Sequence, residues 1–159
     1  MLLFNSSLIC VAIVLILFYA NFYKLFKYKE DSKRSKKTSK ICQYLGILTG
    51  VMFLGVGIVP HDLHFGFHVF FANWAFASLL PLSILHALSF NYSKYIKNIY
   101  AIGYTIFCII LLGYVYLIFW GPAIGPDTAF TKNDLILQVV AQKAIVLTFI
   151  ISMIHQAKG

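Results

Sequence analysis

Five long apolar runs occupy nearly all of this chain, at about 2–23, 41–59, 65–90, 99–120 and 135–154. Each approaches the roughly 20 residues that a helix needs to cross a hydrocarbon layer of about 30 Å. A water-soluble fold of 159 residues could not bury that much apolar surface, with 60% of its residues hydrophobic and 11% charged. Inside a bilayer, every backbone polar group must be satisfied within its own segment, which selects helices. The runs therefore predict an all-α integral membrane protein, a single bundle of five transmembrane helices covering residues 1–159. No separate soluble domain fits in what remains.

The formal charge of +8 has the sign of a nucleic-acid binder, but its placement argues otherwise. Eight of the thirteen basic residues lie in the polar connector 24–40, directly after the first run. Basic residues gathered there hold a loop on the cytoplasmic side, and they also attract anionic headgroups. With that loop inside, the N-terminus is outside and the C-terminus cytoplasmic. Lys94, Lys97 and Lys158 then fall on the inner side, whereas the outer turns contain only Lys132, and Lys143 sits within the fifth run. Tyr23, Tyr28, Tyr44, Tyr92 and Tyr95 cluster near the inner boundary and Trp120 marks the outer one, as an aromatic belt requires. The first run has no basic residue before its core and exceeds a signal core of about 7–15 residues, so it reads as a retained anchor.

Cys10, Cys42 and Cys108 lie in or beside apolar runs and are odd in number, so they behave as small hydrophobes and imply no disulfide framework. No cofactor is implied. In the second run, Gly46 and Gly50 form a small-xxx-small pair that lets two helix backbones approach closely. Pro81 removes a backbone donor within the third run and predicts a kink.

The densest polar group is Pro60-His61-Asp62-Leu63-His64, followed by His68. If Pro60 opens the third helix, His61, His64 and His68 fall within about 60° of one another. Imidazoles one and two turns apart beside a carboxylate have the chemistry of a metal site. The same residues also read as a plain helix start, with Asp62 favoured by the helix dipole, or as a hydrogen-bond network between Asp62 and His68. In the fifth run Asp134, Gln138, Gln142, Ser152 and Gln156 share one face. Amides on such a line turn towards protein. An outward-facing polar pocket between the second, third and fifth helices is therefore expected, where Asp62 and His68 meet Gln138 and Gln142. Lys143 points away from this line and either snorkels outward or pairs with Asp62. His86 lies about 27 Å along the helix from His68, at a depth comparable to His155. Two such histidines could ligate a haem, although local hydrogen bonding is the commoner use.

The segment Gly55-Val-Gly-Ile-Val-Pro60-His-Asp62, with His68 and Ala72, resembles a motif of an uncharacterised prokaryotic family of multi-pass membrane proteins, domain of unknown function 998. Gln142-Lys143-Ala144-Ile145 is similar to the start of that family's last helix, and Asn5 also matches. The resemblance implies a membrane bundle in a prokaryotic plasma membrane, with Pro60, Asp62 and His68 as the corresponding positions. His61 and His64 have no counterpart, Val59 stands where Phe is usual, and five spans replace the usual six. A more distant likeness is to eukaryotic autophagy-modulating and lipid-remodelling membrane proteins of similar helix count. Neither implies an established activity.

Together these features point to a non-enzymatic membrane component that binds lipid, a partner helix or another copy of itself, and not nucleic acid. The alternative is a metal-assisted lipid hydrolase in which His61, Asp62, His64 and His68 activate water. A small transporter is a third reading. The orientation is directly testable. Single cysteines in the 24–40 connector and at 60–64, in a background freed of native cysteines, should label from opposite sides of intact cells. Equal labelling, or the reverse order, would overturn the orientation.

Overall fold

The computed structural model describes residues 2–59, 61–62, 64–122, 124 and 128–157, with side chains from Asn5 onward. Its five helices are α1 (Leu2–Tyr28), α2 (Lys33–Ile58), α3 (Phe65–Asn91), α4 (Ile99–Trp120) and α5 (Lys132–Ala157). All five are long and apolar enough to cross a membrane. Only 11–33% of each apolar window is buried within the protein, so most of that surface needs another apolar cover. Large exposed side chains such as Val14, Leu17, Ile109, Leu112, Leu147 and Ile151 line the outer faces. In water this would be an untenable surface; in hydrocarbon it is the expected one. The chain is an integral membrane helical bundle of the multi-pass type.

The helices extend beyond the apolar runs, and the 24–40 connector is the clearest correction. It is not a loop: α1 continues to Tyr28 and α2 begins at Lys33, leaving four residues between them. Lysine and arginine are good helix formers, so a basic segment is free to continue a helix once its ends are capped. Glu30 adopts a left-handed backbone, φ 49°. Its amide donates to the Lys27 carbonyl and that of Asp31 to the Phe26 carbonyl, the paired bonds that close a Schellman turn. Ser32 then caps α2, its Oγ accepting the Ser35 amide at 3.0 Å.

Neighbours in sequence are neighbours in space. Close backbone packing joins α1 to α2, α2 to α3, α3 to α4 and α4 to α5, and among the described residues no other pair. The arrangement is a row of antiparallel helices, as short connections favour. The α5 backbone therefore packs on α4, and among the described residues it makes no close backbone contact with α2 or α3, between which the sequence pattern places the outer pocket.

The closest seam is between α1 and α2. A Cβ added at Gly46 would collide with the Tyr19 ring, and one at Gly50 with Ile16 Cγ1, with the Ala12 carbonyl 3.3 Å away. Gly57 meets Ile9 in the same register. The α2–α3 seam is polar instead: Ser35 Oγ donates to the Ser89 carbonyl at 2.7 Å, and Thr49 and Ser78 hydroxyls meet at 3.0 Å. Such hydroxyls hold helices together while satisfying themselves locally. Pro81 lies within α3 and is itself exposed.

Gly50→Leu should lower the thermal stability of the purified protein in detergent, by about 1–3 kcal/mol for an overpacked seam. Gly113→Ala should leave it unchanged, because a Cβ there meets nothing within 4 Å. Equal melting of Gly50→Leu and the parent protein would show that α1 does not press on this face.

Candidate functional site

The outer polar residues do not assemble as the sequence pattern predicts. His61 and Asp62 lie in a turn before α3, whose first residue is Phe65. Helical angles consequently do not apply to His61, and Pro60 lies outside the described residues. His61, Asp62 and His64 are all exposed. His68 turns its Nδ1 to the Val59 carbonyl at 2.8 Å, capping the end of α2 across the turn. Its ring stands 5.4 Å from that of His61, yet among the described residues no three His, Cys, Asp or Glu side chains are grouped to hold a metal. Asp134 bonds back to Thr131, accepting its amide at 2.8 Å and its hydroxyl at 2.7 Å. It thereby caps α5 in the manner of a capping box. Gln142 faces Tyr114 of α4, Gln138 is half-buried and Lys143 exposed. The α5 backbone packs on that of α4, and among the described residues the polar partner of Gln142 is Tyr114 and that of His68 is the Val59 carbonyl.

The buried chemistry lies at the opposite end. His86 is fully buried, its ring stacked on Tyr104 with centroids 4.1 Å apart and planes parallel. Phe22 and Phe90 close the ring's surroundings at 4.6 and 4.8 Å. The Tyr19 hydroxyl pairs with His86 Nδ1 at 2.9 Å, and the Gln156 amide with Nε2 at 2.8 Å. A neutral imidazole offers one donor and one acceptor, and a hydroxyl and an amide complement it in either tautomer. Both nitrogens are engaged, so His86 has none left for a haem. Tyr104 in turn donates to Met153 Sδ at 3.0 Å. Of the polar line on α5, Ser152 and Gln156 do turn inward, Ser152 donating to the Gly103 carbonyl at 2.9 Å.

About two turns beyond His86, Asp31 joins the two short connections at this end. Its Oδ1 accepts the Ser32 amide at 2.7 Å and the Lys94 amide at 2.8 Å. Its Oδ2 accepts the Ser93 hydroxyl. Ser32 Oγ donates across to the Tyr92 carbonyl at 2.7 Å, so the α1–α2 and α3–α4 turns are clasped twice. Burial alone would raise the Asp31 carboxyl, but the bonds from Ser93, Lys94 and Ser32 outweigh it and hold it below its ordinary 3.8.

Between the clasp and His86 lies a cavity of about 340 Å³. Its floor is apolar, formed by buried Phe26 and Phe90 and half-buried Ile96, with the exposed Leu25 at its edge. Its rim is polar, with Lys29, Asp31, Ser93, Tyr95 and Tyr100. Gln156 closes the inner side and links the cavity to His86. Sequence reasoning gave Asp31 no role and left His86 as a local hydrogen-bonding residue. The available signal was a lone Asp-Ser within the basic connector, a stop-and-cap pair placed where the charges suggested open loop.

Comparison with known protein families, curated proteins and solved structures gives no match for this chain.

Asp31→Asn should cost about 1.5–3 kcal/mol, the range for hydrogen bonds to a charged group. An amide nitrogen facing Ser93 cannot accept the hydroxyl proton. Because the folded carboxyl titrates below the unfolded one, its stabilisation is present above 3.8 and is lost as pH falls through the folded value. Melting curves of parent and Asp31→Asn should converge in acid. A constant gap down to pH 2 would contradict the clasp.

Proposed function

We propose that this protein is a non-enzymatic, multi-pass membrane component that holds a lipid in the cavity beside Asp31. The observation that carries this reading is the cavity's lining: apolar Phe26, Phe90 and Ile96, with exposed Leu25 at the edge, beside polar Lys29, Asp31, Ser93 and Tyr95. A site of about 340 Å³ is at the small end of ligand pockets. It suits a headgroup and the first part of an acyl chain better than a whole lipid. The basic connector supports an orientation with this end cytoplasmic, the N-terminus outside. The resemblance around Gly55–Asp62 supports placement in the prokaryotic family named above and in a plasma membrane. A family member whose equivalent helices pack in another order would remove that placement.

The hydrolase alternative is the weaker reading on geometry, since His61, Asp62 and His64 are exposed before α3 and His68, on α3, is engaged with the Val59 carbonyl.

Ile96→Trp should fill the cavity, and native mass spectrometry of gently solubilised protein should then find lipid adducts on the parent but markedly fewer on the variant. Equal adducts on both proteins would place the lipid elsewhere.

A further inference from the structure

We infer that the cavity beside Asp31 selects a phospholipid whose phosphate headgroup carries net negative charge, with Lys29 as the selecting residue. The inference rests on the lipid-binding reading and adds the chemistry of the ligand.

Three observations carry it. First, the rim carboxylate is already occupied. Asp31 accepts three hydrogen bonds, two on Oδ1 and one on Oδ2, and most of its lone-pair capacity is spent on the turns. It is poorly placed to serve as the counter-ion of a choline or ethanolamine group. Ser93 is equally committed: its hydroxyl donates to Asp31 while its oxygen accepts the Tyr95 and Ile96 amides at 3.1 and 3.2 Å. Second, the remaining charge on the rim is cationic. Lys29 is exposed, and its Nζ lies 5.9 Å from the centre of the Tyr95 ring. An ammonium held over a ring at the mouth of an apolar cavity suits a phosphate oxygen. The surrounding field has the same sign: residues 24–40 and 91–98 hold ten basic side chains against Glu30 and Asp31. Third, the cavity has a way out for a hydrocarbon chain. It is lined by Leu25 and Phe26 of α1 and by Gln156 of α5, the two ends of the helix row, whose backbones do not pack against each other. An acyl chain can leave past the exposed Leu25 along the apolar face of α1, whereas a rigid partner helix could not enter 340 Å³.

The test uses the full chain, exchanged in detergent against equal amounts of phosphatidylglycerol and phosphatidylcholine with identical acyl chains, and read by native mass spectrometry. One well-placed lysine near a membrane surface is worth about 1 kcal/mol, which is about a fivefold preference. Phosphatidylglycerol should be retained over phosphatidylcholine by that factor. Lys29→Gln should abolish the bias while still binding lipid, and Lys37→Gln, an exposed lysine outside the cavity, should preserve it. Lipid bound without headgroup preference would overturn this inference and leave the lipid-binding reading standing. No lipid at all on the parent protein would overturn both. An equal loss of bias in Lys29→Gln and Lys37→Gln would assign the preference to the general surface field and overturn the site. Displacement of the lipid by free glycerol 3-phosphate at similar concentration would overturn the lipid in favour of a soluble phosphate ester.

Discussion

At His86 four helices meet through one imidazole. Its ring belongs to α3, stacks on Tyr104 of α4, and bonds to Tyr19 of α1 and Gln156 of α5. The backbones of α1 and α5 do not pack against each other or against α3, so these side chains span distances that main-chain packing leaves open. In hydrocarbon, an imidazole with an unpaired nitrogen is costly, and two partners from opposite ends of the row remove that cost. The row is thereby drawn into a curve around His86.

The two flanks of that curve are built differently. α1 is held to α2 by glycine contacts at Gly46, Gly50 and Gly57, an arrangement with little room for sliding. α5 buries only Ile145 and Ser152 among its described residues, and its backbone packs on a single neighbour. Elements with few buried contacts open at lower free energy than the rest of a fold. The wall of the cavity that carries Gln156 is accordingly the compliant one, and the Leu25–Phe26 wall is the fixed one.

Much of the fold was legible in the sequence, because hydrophobic run length is decided by solvent and needs no tertiary information. Five runs gave five helices. The site was less legible, for two physical reasons. The His61–His68 cluster was placed on a helix by assuming that Pro60 opened it, but the helix starts at Phe65, and a shift of that size removes His61 from the face. The α5 amides were assigned to the wrong neighbours because a face angle states which residues point together, not which helix they point at. Asp31 stood among eight basic residues and was hidden by the charge argument that made the segment look like loop. Its partners, Ser93 and Lys94, are more than sixty residues away, a pairing that no local pattern encodes.

The left-handed residue Glu30 has a consequence for how the protein meets the bilayer surface. By compressing the turn to four residues, it keeps the basic segment on two helical stubs, Lys24 to Tyr28 and Lys33 to Lys40. At 1.5 Å per residue these rise about 7 and 12 Å, against a Debye length of about 8 Å in physiological salt. The lysines thus form a depth-graded ladder with fixed rungs. The two stubs are together longer than one screening length, so the charges at their far ends are screened from each other by salt.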